Sequence, residues 1–245
     1  MIYVIGIGPG GHDSITPRAL KALKSCEIIA GYTKYIDLVR DILPGKCFIA
    51  YSMRQEILRC QEVLNLSRGK NINIALISSG DSGVYGMAGL MLETARDSGQ
   101  EVIIIPGMTA ANSAAAVLGA PLMNDYVNIS LSDLMTPWKI IEKRLIAACT
   151  GDFVICLYNP ASNNRPENFR RACKILLDYK SPSTPAGFVM NSDRENEYHE
   201  IMTLSQIQDC KLINMSCTVI IGNSQSYILD GKIITPRGYK IFQTC

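Results

Sequence analysis

Histidine is scarce: the 245 residues contain two, His12 and His199. A hydrolase built on a nucleophile and a histidine base has little to work with here. No G-x-S-x-G, H-E-x-x-H or Walker A pattern occurs. Nine cysteines are present, an odd number, and no two form a C-x-x-C pair. Structural zinc needs four nitrogen or sulfur ligands at short spacings; no such set can be assembled, and no metal is expected. Cys26 in KSCEIIA, Cys156 in FVICLY and Cys173 in RRACKILL stand in apolar patterns. They read as reduced, buried small residues of a cytoplasmic protein. No apolar run approaches the ~20 residues that cross a bilayer, so no membrane partner is expected. The opening MIYVIGIGPG lacks a basic segment and reads as a strand, not a signal peptide. Lys plus Arg (24) and Asp plus Glu (22) nearly cancel to +2. That balance lacks the basic excess of a nucleic-acid footprint. At 47% hydrophobic, the chain is also no candidate for disorder.

What is present is an alternation of strands and helices, twice over. Ile2 to Ile7 is a short apolar run ending in glycines, a buried strand. Thr16-Pro17 reads as an N-cap followed by proline at the first helical position. The strand at Glu27–Ala30, helices over Tyr35–Leu43 and Arg54–Arg68, and the strand at Asn71–Ile77 follow. A helix through Met91 to Gly99, the strand Glu101–Ile105 and the alanine-rich helix Ala110–Leu118 complete the first half. After Gly119-Ala120-Pro121 the pattern restarts. Strands are expected at Val127–Leu131, Asp152–Tyr158 and Ala186–Met190. Helices are expected from Trp138, from Pro166 and at Leu204–Asp209. Three short C-terminal strands close the chain, the last two joined at Asp230-Gly231, a hairpin signal. Strands alternating with helices of this length predict parallel βαβ units. The expected organisation is two α/β domains, 1–120 and 121–245, with a ligand cleft between them.

Gly6, Gly8 and Gly11 match the G-x-G-x-x-G of dinucleotide-binding folds, but the context does not fit. There the last glycine opens a helix whose N-terminus faces a pyrophosphate. Here Pro9 sits inside the loop, and the helix signal Thr16 comes five residues after Gly11. The acidic residue expected at the end of the second strand is also missing: Glu27 starts that strand and Gly31-Tyr32 ends it. A nicotinamide oxidoreductase remains only as a rival from another class.

Comparable loops follow other strands, where open α/β sheets bind ligands. Ser79-Gly80-Asp81-Ser82-Gly83 is one. Asp81 would either accept hydrogen bonds from ribose hydroxyls or an amino group, or cap the next helix. Pro106-Gly107-Met108-Thr109-Ala110 is another, with Thr109 either a ligand contact or an N-cap. Leu157-Tyr158-Asn159-Pro160 and Met190-Asn191-Ser192 end strands in the second half. His199 reads as a solvated surface residue and Trp138 as packing.

Ile5–Gly10, SSGDSGVYG (Ser78–Gly86) and PGMTA (Pro106–Ala110) resemble, in order and spacing, the three N-terminal motifs of the tetrapyrrole methyltransferases. The resemblance runs essentially the length of the chain. NISLSDLMTPWKIIEKRL (Asn128–Leu145) with DFVICLYNPAS (Asp152–Ser162) is similar to the branch acting at C17 of precorrin-3B or cobalt-factor III, in cobalamin biosynthesis. The resemblance implies S-adenosylmethionine as cofactor, S-adenosylhomocysteine as product, a tetrapyrrole as substrate and a homodimer. It places Pro9, Ser79, Gly80, Asp81, Val84, Thr109 and Ala110 at the cofactor. Leu157, Tyr158, Met190, Asn191 and Ser192 would approach its adenine from the second half. Gly8, Gly10 and Asp13 would belong to the tetrapyrrole side. Two departures stand out. The aspartate often following Gly-Pro-Gly is Gly11 here, with Asp13 two residues on. Asn124 stands where a histidine is expected, which leaves a proton-transfer role there without its usual residue.

The implied chemistry is methylation of C17 with ring contraction. Placement of the reactants can contribute up to roughly 7–11 kcal/mol, and the proton movements of contraction typically gain about 10²–10⁴-fold from general acid–base help. Asp125, Ser130 and Asp133 flank the expected substrate loop and are the candidates, although Asp133 would equally serve as a cap near Thr136. The first rival is another reaction on the same scaffold, a different precorrin methyltransferase or an enzyme methylating diphthamide or ribosomal RNA; a non-catalytic tetrapyrrole carrier comes last.

Overall fold

A computed structural model describes residues 1–69, 71–162 and 165–239. It divides into two units, Met1–Ala110 and the chain from Ala111 on. The first unit runs β1 (Ile2–Gly6), a 3₁₀ turn (His12–Ser14), α1 (Pro17–Ser25), β2 (Ile28–Tyr32), α2 (Thr33–Asp37) and β3 (Cys47–Tyr51). It continues with α3 (Glu56–Ser67), β4 (Ile74–Ser78), α4 (Ala88–Thr94) and β5 (Val102–Ile105). The strands form one sheet in the order β3-β2-β4-β1-β5, parallel throughout. Both faces of this sheet are covered, and side chains alternate between them. Ala75 and Ile77 of β4 pack with Ala19, Leu23 and Ile36 of the first helices. Ile74 and Leu76, one position out of phase, pack with Cys60, Val63 and Met91 of α3 and α4. Thr16 caps α1 as expected, its hydroxyl accepting from the Ala19 N–H at 3.1 Å.

The second unit runs α5 (Ala110–Leu118, entered from the first unit), β6 (Gly119–Ala120), β7 (Tyr126–Ser130), α6 (Trp138–Thr150) and β8 (Val154–Tyr158). There follow α7 (Asn168–Leu177), β9 (Pro185–Met190), β10 (Tyr198–Thr203), α8 (Leu204–Ile207), β11 (Cys217–Ile221), β12 (Tyr227–Leu229) and β13 (Lys232–Ile234). Its main sheet has the order β10-β9-β11-β8-β7. Only part of it follows the parallel βαβ expectation. β7 and β8 are parallel, but β11 is inserted antiparallel to both β8 and β9, and β10 returns antiparallel along β9. Apolar runs such as CTVII mark a buried strand and carry no sign of its direction.

Other differences are local. β3 and β10 were not expected. CFIAY is too short a run to stand out, and YHEIMT is an edge strand with no buried residue and no alternation, two exposed residues followed by four half-buried ones. The helix expected over Tyr35–Leu43 is a short turn of helix at Thr33–Asp37. α6 begins after Pro137 with no side-chain cap, and α7 begins at Asn168, two residues past Pro166. The Asp230-Gly231 turn joins β12 to β13 antiparallel, with φ of 48° and 71°. α5 belongs with the second unit because Ala111, Ala114, Ala115 and Leu118 pack on Val154, Cys156, Val189, Ile220 and Ile233.

All eight described cysteines are free, and six of them are buried. Burial pushes the Cys156 and Cys173 thiols up to about 12. An alkylating reagent is therefore expected to label exposed Cys47 in the folded protein and to spare Cys156 and Cys173 until unfolding. Peptide mass spectrometry after native and denaturing alkylation checks this; early labelling of Cys156 would contradict the core. Among the described residues no helix is long and apolar enough to cross a membrane.

Candidate functional site

In the first unit, three loops leave the carboxyl ends of adjacent strands β1, β4 and β5. Their main chains touch. Gly8 and Gly80 exchange backbone hydrogen bonds, Gly8 N–H to Gly80 C=O at 3.1 Å and Gly80 N–H to Gly8 C=O at 2.6 Å. The approach depends on glycine. A Cβ on Gly6 would stand 2.6 Å from Gly107 N and 2.7 Å from the Gly80 oxygen. Gly8 and Gly80 also take φ of +78° and +68°, which side chains rarely adopt.

Asp81 ties these loops together. One carboxylate oxygen accepts from the Gly83 N–H at 2.7 Å and the other from the Gly107 N–H at 2.9 Å. The first bond is local; the second crosses to the loop after β5. Asp81 therefore orders the cradle rather than offering an uncommitted carboxylate. Ser79 Oγ lies 3.5 Å from the carbonyl oxygens of Gly8 and Pro9, and buried Ser82 donates to the Ile105 carbonyl at 3.3 Å. Pro9 is buried, while Ser79, Val84, Thr109 and Ala110 are half-buried beside it in sequence or space. Thr109 stands directly before α5. Gly10 is half-buried, and Asp13 is exposed in the 3₁₀ turn. The first unit thus brings its expected cofactor residues to one edge of the sheet.

In the second unit, β7, β8 and β9 end in loops of the same polar kind. Ser130 pairs in register with Tyr158 at the carboxyl ends of β7 and β8. Tyr158 is half-buried, and its phenol oxygen accepts from the Ala111 N–H at 2.9 Å. Asn159, with φ of +51°, donates from Nδ2 to Ser130 Oγ at 3.0 Å. Asn191 has φ of +53°, and buried Ser192 shares a 2.5 Å hydrogen bond with Ser113 of α5. Met190 is half-buried against the core.

Two expected site residues are placed elsewhere. Leu157 is fully buried in the core of the second unit, so its side chain cannot meet a ligand. β8 has both faces covered, and the side chains on either face read alike in sequence. Asp125 precedes β7, whereas Ser130 ends it. At ~3.3 Å per residue the two are about 16 Å apart along the strand. Asp125 is therefore not grouped with Ser130 and Asp133.

Asp133 has a different partner from the cap considered above. Its carboxylate lies 3.9 Å from Arg165 Nη1. Arg165 also donates to the hydroxyls of Ser132 and Ser162, and Asn168 holds the same segment by donating to the Leu131 carbonyl at 2.9 Å. The Arg165 side chain is 13% exposed. Sequence reading passed over it, because a lone arginine before a proline in a loop resembles ordinary surface charge. Trp138 packs against the core, with the Arg171 guanidinium 4.1 Å over its ring, and His199 is exposed on β10.

Residues 1–208 match the family model described as Tetrapyrrole (Corrin/Porphyrin) Methylases. A curated relative from Salmonella typhimurium, named probable cobalt-factor III C(17)-methyltransferase, is 47% identical over 243 residues. The match covers 98% of this chain and 100% of the relative. Other curated relatives are longer, and the chain spans 45% and 52% of two of them. The crystal structure of the methyltransferase CobJ superposes with a TM-score of 0.88 at 33% identity, covering 96% of this chain and 99% of that one. The uroporphyrin-III C-methyl transferase from Thermus thermophilus, solved complexed with S-adenyl homocysteine, shares the fold at a TM-score of 0.66 and 19% identity. That match covers 90% of this chain and 91% of the other.

Proposed function

The chain belongs to the tetrapyrrole (corrin/porphyrin) methylase family, and from that membership we propose that it methylates C17 of cobalt-factor III with ring contraction, using S-adenosylmethionine. The observation that carries the reading is 47% identity across the full length of a relative of that name. The three-loop cradle supports the cofactor. S-adenosylmethionine has an amino-acid end, a ribose and an adenine, all of which main-chain N–H and C=O groups can recognise. The Gly8 and Gly80 N–H groups are bonded across the two loops, so what the edge around Gly8, Ser79, Gly80, Asp81 and Thr109 offers is carbonyl lone pairs and close access: among the described residues nothing lies nearer than 3.8 Å to a would-be Cβ on Gly80.

Bound there, S-adenosylmethionine would supply an electrophilic methyl group on a sulfonium. The residues of this chain do the rest by placement. Asp81 fixes the relative position of two loops before any ligand arrives, so little ordering remains to be done on binding. We also assign Tyr158, Asn191 and Ser192 to ligand contact; within the second unit they are held by the Ala111 N–H, the Ser216 carbonyl and Ser113 respectively. Asp133 and Ser130, at the carboxyl end of β7, are the groups we assign to proton movement during contraction. Arg165, 3.9 Å from the Asp133 carboxylate, holds it in position at that strand end.

Incubation of the purified chain with methyl-labelled S-adenosylmethionine and cobalt-factor III is expected to transfer one label per macrocycle with a change in its absorption spectrum. Precorrin-3B serves as the parallel substrate. No transfer to either macrocycle would overturn the proposal. Transfer to precorrin-3B alone would move it to the cobalt-free route.

A further inference from the structure

Beside Ser79 the first unit holds a separate recess of about 130 Å³, lined by Tyr32, Tyr35, Arg59, Ser79, Tyr85 and Met87 among others. It lies at the same carboxyl edge of the sheet, since Tyr32 ends β2 and Ser79 follows β4. Its volume is well below the ~300–1,000 Å³ of sites that enclose a whole ligand. It has room for a short chain and not for a macrocycle.

Arg59, on the fourth residue of α3, is 3% exposed. Its guanidinium is poorly matched. Nη2 donates to the Ser52 carbonyl at 3.2 Å and Nη1 to the Met87 sulfur at 3.8 Å, a weak acceptor. Among the described residues Nε has no hydrogen-bond partner. Among the described residues no carboxylate lies within 4.0 Å of it to make an ion pair. The Tyr51 ring lies 5.5 Å from the guanidinium carbon. The nearby Glu62 is taken by the Tyr51 hydroxyl, which donates to it at 2.7 Å. Glu56 also lines the recess, but its carboxylate accepts from the Arg54 N–H at 3.2 Å. Buried cations are normally paired, and a guanidinium has five donors in a fork shaped for a carboxylate. The position near the N-terminus of α3 adds to the local positive potential.

We propose that Arg59 is a carboxylate-recognition residue, and that the recess takes a short carboxylate-bearing arm whose stem lies against the Tyr32 and Tyr35 rings. This rests on the proposed function, which supplies two ligands carrying such an arm. One is the macrocycle, with its peripheral acetate and propionate side chains. The other is the cofactor, with its amino-acid carboxylate.

The test uses the full chain and the variants Arg59→Met and Arg59→Lys. S-adenosylhomocysteine binding is measured by calorimetry, cobalt-factor III binding by absorbance titration, and turnover by label transfer, alongside thermal unfolding. Loss of one charge-assisted recognition contact is expected to weaken one ligand about ten- to a hundredfold. The other ligand is unaffected, and lysine recovers part of the loss. Weakened macrocycle binding identifies a substrate arm, and weakened S-adenosylhomocysteine binding identifies the cofactor carboxylate. Unchanged affinity for both in the folded variants overturns the assignment. So does equal weakening of both with a lowered melting temperature, which marks Arg59 as structural. If Arg59→Met does not fold, Arg59→Lys, which keeps the charge and loses the fork, carries the same comparison. Failure of the wild type to methylate either macrocycle strikes the proposed function, whereas the two binding measurements still read Arg59.

Discussion

Gly107→Ala is expected to abolish detectable S-adenosylhomocysteine binding and to lower stability by roughly 3 kcal/mol, about 6–12 °C in melting temperature. A methyl group there would stand under 3 Å from the Gly80 carbonyl oxygen and 2.6 Å from the carbonyl carbon and oxygen of Gly6. Every one of those atoms is backbone, so no side chain can swing aside. The loops after β1, β4 and β5 would have to separate, breaking the Asp81–Gly107 bond and the Gly8–Gly80 bridge with them. Gly80→Ala is the control. It meets nothing nearer than 3.8 Å and carries only the cost of a left-handed φ, about 1–2 kcal/mol. Thermal unfolding should therefore separate the two variants by about 1–2 kcal/mol, while both are expected to weaken S-adenosylhomocysteine, since Gly80 belongs to the proposed cofactor edge. Equal unfolding would mean that the loops do not approach as described.

Asp81→Ala has the second largest expected effect. It removes the acceptors of two backbone N–H groups, at Gly83 and Gly107. Charge-assisted bonds contribute about 1.5–3 kcal/mol each, and Asp81 is half-buried, so solvent screening reduces the sum to about 2–4 kcal/mol. Since one of those bonds joins two loops, their order should fall along with the stability. S-adenosylhomocysteine affinity is expected to drop at least tenfold, a change of about 1.4 kcal/mol. Asp81→Asn keeps one carbonyl acceptor and should lose about half as much. Denaturant melts that leave Asp81→Ala as stable as the parent, with unaltered affinity, would remove Asp81 from the organisation of the cradle.

Much of this site was legible beforehand. Glycines after β1, β4 and β5 mark backbone approach, and strand ends mark ligand edges in α/β sheets. The role of Asp81 was legible only as alternatives. Ribose acceptor and helix cap were the options, and the observed tie to Gly107 is neither, because that partner lies on the loop after a different strand. The Leu157 side chain is core for a related reason, leaving only its main chain at the strand end: the run VICLY is buried throughout but for Tyr158, so periodicity does not separate ligand-facing from core-facing side chains. Asp125 and Ser130 sit close in sequence but at opposite ends of a strand, and an extended chain separates such residues as fast as it can. Arg59 falls within a helix whose neighbours Glu56 and Glu62 make it look like ordinary surface charge. Its burial depends on what packs over it.

The sequence by itself determined most of the local grammar: the buried strand runs, though not β3 or β10, where Thr16 starts a helix, where Asp230-Gly231 turns, and which loops need glycine. These follow from propensity, capping and allowed φ, which act over a few residues. The tertiary structure alone decided that β11 runs antiparallel between β8 and β9, that Asp81 bridges two loops, that Asp133 meets Arg165, and that Arg59 is buried with no carboxylate beside it among the described residues. Each of these is a contact between segments distant in the chain. Which distant groups meet is set by how the sheets order their strands, and no local pattern carries that information.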